Sequence, residues 1–179
     1  MRIAYQGVPG AFSHEACLKF APDCEALAEG TFADVVTAVL DGIADRGILP
    51  MENSAGGDVP GNRELLANPR LKTIKSQPLL VRMHLMAMPG VAIEDIRTIV
   101  SHPMALKQCA AQIEALGVAT EEASNTAVAA AGLASGDRGV LASEAAAQAY
   151  GLDIIRRDLQ DRVDNATIFS IFERRRDVA

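Results

Sequence analysis

The segment "DNATIFSIF", Asp164 to Phe172, sets one hydroxyl, Thr167, between Asn165 and Phe169 in a short alternating run. A threonine hydroxyl is a weak acid. Its chemistry would be a hydrogen bond to developing charge more than full proton transfer. The bland alternative is a β-branched residue that favours a strand. A second pattern recurs along the chain. A strand-like run ends, Ser or Thr follows, and a helix-like run begins, at Ser13, Ser101–Pro103, Ser124–Thr126 and Ser143. In open α/β sheets such junctions lie at the carboxyl ends of strands, where ligands bind. Each helix start offers unpaired N–H groups and partial positive charge. Several aimed at one place would hold an anion with little help from Arg or Lys. Any α/β protein also needs these residues as plain helix caps.

The elements that must position these residues alternate along the chain. "RIAYQ", "RGILP", "LLVRMHLMAM", "TIVS" and "GVLA" read as strands. "SHEACLKFA" reads as a helix opened by Ser13, and "TFADVVTAVLDG" as a helix capped by Thr31 and stopped at Gly42. A helix opens at Pro103, where the missing N–H costs nothing, and runs to Leu116 before Gly117. "SNTAVAAAGLAS" and "SEAAAQAYG" are capped helices. This alternation predicts an α/β fold with largely parallel sheets.

Composition removes several functions. The 179 residues carry a net charge of −6, and basic residues cluster only at Arg174–Arg176. That run reads as a solvated tail, and no basic face for nucleic acid is predicted. The N-terminus has no apolar core of a secretory signal, and "AVAAAGLA" is too short to cross a bilayer. Cys17, Cys24 and Cys109, with His14, His84 and His102, match no metal-ligand spacing. Three thiols suit a reducing cytosol.

Several segments together carry a resemblance. "YQGVPGAFSHEA" (Tyr5–Ala16) resembles the opening Y-x-G-P-x-G-T-F-S of prephenate dehydratases. "LPMENSAGGDV" (Leu49–Val59) is similar to their P-x-E-N-S-x-x-G-x-V, and "SHPMALKQC" (Ser101–Cys109) to S-H-P-Q-x-x-x-Q-C. "ASEAAAQAYGLDII", followed by "DNATIF", resembles A-S-x-x-A-A-x-x-Y-G-L and the closing N-x-T-R-F. Order and spacing agree through the whole chain. The chain is identified as a member of that family, covering its catalytic domain.

The resemblance implies an α/β, two-lobed domain like type 2 periplasmic binding proteins, with the site in the interlobe cleft. Met1 to about Pro78 plus Asp158–Ala179 would form lobe one, and about Leu79 to Arg157 lobe two. The family usually continues into a phenylalanine-binding ACT domain. This chain ends soon after Thr167, so no such regulatory domain is expected. The implied activity is that of a carbon–oxygen lyase in phenylalanine biosynthesis. Prephenate, a small anionic substrate, loses water and CO2 to give phenylpyruvate, with no cofactor and no metal. A cytoplasmic homodimer is the expected setting.

By the same resemblance Thr167 is the catalytic hydroxyl that meets the departing ring hydroxyl. Asn53, Ser54, Ser101, His102, Asn125, Thr126 and Phe169 are the expected substrate-binding residues. Glu52 would serve as an acid or orient its loop. The plain alternatives are a cap for His102, core for Phe169 and turn bonding for Asn53 and Ser54. Two departures stand out. Ile168 replaces the motif arginine, and Met104 replaces a glutamine. Ala11 in place of threonine is a milder change. Losing a charge-assisted hydrogen bond costs about 1.5–3 kcal/mol, unless a cation such as Arg82 or Lys107 compensates. Alternation turns Ile168 away from the Thr167 face. Competing functions are a non-aromatising prephenate decarboxylase and a non-catalytic cytosolic binding protein. Arogenate in place of prephenate is also open.

Overall fold

The computed structural model describes residues 1–175. Contacts divide the chain into two units. The first comprises Met1–Val8, Ser13–Leu80 and the described residues from Asp164 on, and the second Pro9–Phe12 and Val81–Val163.

In the first unit β1 (Arg2–Gln6) runs parallel to β2 (Glu25–Glu29) and to β3 (Arg46–Asn53). Helices α1 (Phe12–Phe20) and α2 (Phe32–Leu40) make the crossovers. Thr31 and Asp34 close a full capping box on α2, and Gly42 at φ 76° follows its end. Val35, Val36, Ala38 and Val39 of α2 pack with Ala4, Leu49, Leu71 and Phe172. Each such valine contributes about 1.5–3 kcal/mol by leaving water. A short β4 (Gly57–Asp58) pairs with β3, and α3 (Asn62–Leu66) precedes β5 (Leu71–Leu80). The last strand, β11 (Ala166–Arg174), inserts between β3 and β5, antiparallel to both. The Phe172 ring lies over Gly47, where an added Cβ would come within 2.3 Å of Cζ.

The second unit contains β6 (His84–Ala87), β7 (Thr98–Ser101), β8 (Ala119–Glu122), β9 (Arg138–Ala142) and β10 (Asp153–Arg156), ordered β10-β6-β9-β7-β8. Its central strands are buried on both faces, as their unbroken apolar runs require. Leu85, Ile99 and Leu141 join Ala105 and Ile113 on one face. Met86, Val100, Val140 and Ala142 join Ala130, Ala146 and Ala147 on the other. Helices α4 (Pro103–Gln108) and α5 (Ala110–Leu116) supply the first set, and α6 (Thr126–Ala131) and α7 (Glu144–Tyr150) the second. The Pro9–Phe12 loop belongs here because Ser143 Oγ donates to Gly10 O at 2.6 Å and Tyr150 Oη to Pro9 O at 2.7 Å. Gly10, at φ 85°, leaves room for Ala146, whose Cα a Cβ would approach to 2.6 Å.

Several expectations are corrected. The sheets are mixed, because β11, β6 and β10 pair antiparallel rather than through helical crossovers. Residues 158–163 sit with the second unit. Leu159 N–H donates to Met83 O at 2.8 Å, and Gln160 Oε1 accepts from Met83 N–H at 2.9 Å. The long helix after Pro103 breaks at Cys109. Asp161 fills the break, donating its N–H to Gln108 O at 2.8 Å and accepting from Ala111 N–H at 3.2 Å. "LLVRMHLMAM" splits at Val81–Met83, and the first helix starts at Phe12 rather than at Ser13. Arg174 and Arg175 are exposed, as a solvated run requires, but are tied to the fold. Their guanidinium groups donate to Leu40 O at 3.3 Å and Leu71 O at 2.8 Å. Arg176 lies outside the described residues.

His84 carries a pH dependence. It is buried, and its Nδ1 accepts from the N–H of Asp158, which adopts φ 57°. Burial lowers its pKa below 6.5, and Arg157 and Arg82 act in the same direction against Asp158 and Glu144. The folded form therefore binds fewer protons than the unfolded chain. The stability this group contributes is full above pH 6.5 and is lost as the pH falls below it. The Tm is expected to drop on acidification through that range. His84→Asn keeps an acceptor without the titration and should flatten the slope. His14, lowered by burial too, leaves a residue of it. Unchanged slopes in melts of the two proteins would exclude His84 as the source.

Candidate active site

Thr167 is the second residue of β11, opposite Asn53 of β3 on one side and Leu79 of β5 on the other. This register brings together two polar segments far apart in sequence. Asn53 Nδ2 donates to Thr167 Oγ1 at 2.9 Å, to Asn165 Oδ1 at 3.0 Å and to Ala166 O at 3.3 Å. Asn53 Oδ1 accepts from Ala55 and Gly56 N–H, both at 2.9 Å. Ser54 Oγ donates to Asn165 Oδ1 at 3.3 Å and accepts from Ala166 N–H at 3.0 Å. Thr167 and Asn165 are buried, so this network is held tightly in place. Buried polar groups satisfied in this way specify one arrangement.

Asn165 was not among the expected site residues. It accepts from both Asn53 and Ser54 at the centre of the network. Its signal in the sequence was the asparagine of the closing N-x-T motif, two positions before Thr167.

Ile168 is exposed, facing Glu52 across β3 and Pro78 across β5. A register shift follows it, with Met51 as the extra residue on β3. Phe169 beyond the shift is buried, 2% exposed, and presents no open ring face. Near Ile168 one arginine serves two carboxylates. Arg63 lies 2.7 Å from Asp58 and 3.9 Å from Glu52. The hydrogen bond and charge of Arg63 hold the Asp58 carboxyl below its usual range. Arg82 pairs with Asp158 at 3.2 Å, while Lys107 is exposed on α4.

The expected residues of the second unit stand where parallel strands end and helices begin. Ser101 is fully buried and donates its hydroxyl to Leu141 O at 2.7 Å, which ties β7 to β9 and leaves no surface for a ligand. His102 caps α4, its Nδ1 accepting from Met104 N–H at 3.1 Å, and Met104 itself is exposed. Asn125 caps α6, accepting from Val128 N–H at 2.7 Å, and Thr126 is that helix's half-buried first residue. Ser143 caps α7. These three side chains act as caps, which is the plain alternative. Burial pushes the Cys109 thiol up to about 12 and raises Cys17 as well, so neither is an ionised nucleophile.

The sequence pattern that defines prephenate dehydratases matches residues 3–177. The chain belongs to the prephenate dehydratase family. Among curated relatives, arogenate dehydratase/prephenate dehydratase 1 of Arabidopsis thaliana, a chloroplastic protein, is 41% identical over 177 residues. That match covers 97% of this chain and 45% of the relative, so the chain spans about half the length of the curated relatives it matches. A solved structure described as GqqA, a novel type of quorum quenching acylases, superposes with a TM-score of 0.92 at 35% identity, covering 99% of this chain and 66% of that one. The prephenate dehydratase of Arthrobacter aurescens, solved with L-Phe, gives 0.86 at 25% identity, covering 98% and 61%. Thr167 and Asn53, which the family motifs single out, are thus neighbours across one ladder.

Proposed function

We propose that this chain carries out the dehydratase reaction of its family on prephenate. The ring C–CO2⁻ bond breaks, its electron pair enters the ring, and the ring hydroxyl leaves as the ring becomes aromatic. The products are phenylpyruvate, CO2 and, after protonation of the hydroxide, water. Hydroxide is a poor leaving group, so a donor at the departing oxygen is the group that matters. The observation that carries this reading is Thr167 Oγ1, which accepts from Asn53 and keeps its own proton available. The family relationship supports it. Arogenate differs from prephenate in its side chain, away from the reacting ring carbons, and the same residues would serve its dehydration to phenylalanine.

The test is product identity with each substrate. Prephenate should yield phenylpyruvate and CO2 in equal amounts. CO2 without phenylpyruvate would mean a non-aromatising decarboxylase. Neither product, with prephenate still raising the Tm, would mean a binding protein. Acylase action is the second reading, favoured by the 35% identity to a solved protein described as an acylase. An N-acyl amide substrate assayed in parallel decides it.

A further inference from the structure

We infer that Asn53 is a positioning residue that sets the direction of the Thr167 proton, rather than a ligand of the substrate. This rests on the dehydratase reading above. The orientation of the Asn53 amide is set by its partners. Asn53 Oδ1 receives two backbone N–H groups, from Ala55 and Gly56, each at 2.9 Å. Only the oxygen can accept them, so the NH2 end must face the other way. There it meets Asn165 Oδ1 at 3.0 Å and Thr167 Oγ1 at 2.9 Å. Ala166 O is more distant at 3.3 Å and already accepts from Ser54 N–H at 2.9 Å. Two amide hydrogens and two short contacts leave the amide fully used.

The direction of the bond at Thr167 follows. Asn53 Nδ2 has no lone pair to accept with, so Thr167 Oγ1 is the acceptor. The Thr167 proton then has no acceptor among the described residues, since the network gives Oγ1 this one partner. It is left for a group from outside, which in the dehydratase reaction is the departing hydroxyl. The rest of the network holds the amide in this sense. Ala166 N–H donates to Ser54 Oγ, and Ser54 Oγ donates to Asn165 Oδ1. Asn165 Oδ1 thus faces Asn53 as an acceptor only. Reversing the Asn53 amide would break three bonds at once and turn the Thr167 hydroxyl inward as a donor.

Two variants test this in the full chain. Asn53→Asp keeps an oxygen for Ala55 and Gly56. Its second oxygen, ionised, can only accept. It captures the Thr167 proton and repels Asn165 Oδ1. At neutral pH kcat should fall roughly 10- to 100-fold, with KM little changed. As the pH falls and the carboxyl protonates, it donates again, and the ratio of variant to wild-type kcat should rise. Asn53→Ala has nothing to protonate. It should show the same fall with a flat ratio. It should also fold, because Ala55 and Gly56 are exposed and their N–H groups can turn to water. In a Thr167→Val background either change should cost no further kcat, because the residue acts through that hydroxyl. A raised KM with unchanged kcat would overturn the inference by making Asn53 a substrate ligand. So would losses that multiply with those of Thr167→Val, or a flat pH ratio for Asn53→Asp. A wild-type protein that turns over neither prephenate nor arogenate would overturn the dehydratase reading itself, and this inference with it.

Discussion

Thr167→Val is expected to lower kcat on prephenate by at least about 100-fold while the protein stays folded. Valine matches threonine in shape, so the buried position keeps its packing. The change removes one acceptor from Asn53, whose amide still has Asn165 Oδ1 and Ala166 O within reach. The folding cost should therefore be about 0.5–1.5 kcal/mol, that of one neutral hydrogen bond. The cost to catalysis is larger because the hydroxyl is fixed before reaction by Asn53, and valine offers no proton in its place. Steady-state kinetics beside a thermal melt separates the two effects. A variant with wild-type kcat would show that Thr167 is structural and that the departing oxygen is met elsewhere.

Ile168→Arg should lower KM for prephenate by about tenfold, the value of one charge-assisted hydrogen bond. The residue is 39% exposed, so a guanidinium there can stay hydrated and carries little desolvation penalty. A shift in Tm beyond a few degrees is not expected. Glu52 is its cross-strand partner on β3, and Arg63 reaches Glu52 only at 3.9 Å. The new arginine will compete for that carboxylate, which limits the gain. Ile168→Arg,Glu52→Gln should exceed the single variant in substrate affinity. An unchanged KM in both, with both folded, would mean that this position does not meet the substrate.

The sequence by itself determined the α/β class, the capped helices and the family. These are local or cumulative signals. The Thr31 capping box, Pro103 at a helix start, Gly117 at a helix end and the buried "GVLA" strand are each written in a few adjacent residues. Motif order along the chain needs no geometry either. Strand direction was less legible, because periodicity is the same in parallel and antiparallel ladders, and β11 entered between β3 and β5 from far along the chain. The break at Cys109 was invisible for the same reason, since Asp161, which completes its bonding, lies 50 residues beyond Ala111.

At the candidate site the sequence supplied Thr167 and Asn53 as separate residues. Only the tertiary structure decided that they bond, because a register that spans 114 positions is set by the pairing of β3 with β11. The structure also sorted residues that look alike in sequence. Ser54 serves the network, while Ser101 is buried in bonding one strand to another. Thr167 and Phe169 face inward and Ile168 outward, as alternation requires, but the burial of Phe169 and the bulge after Ile168 depend on the neighbours each strand meets. A side chain's type is local information. Whether its polar atoms are already occupied depends on which distant backbone groups the fold brings beside it.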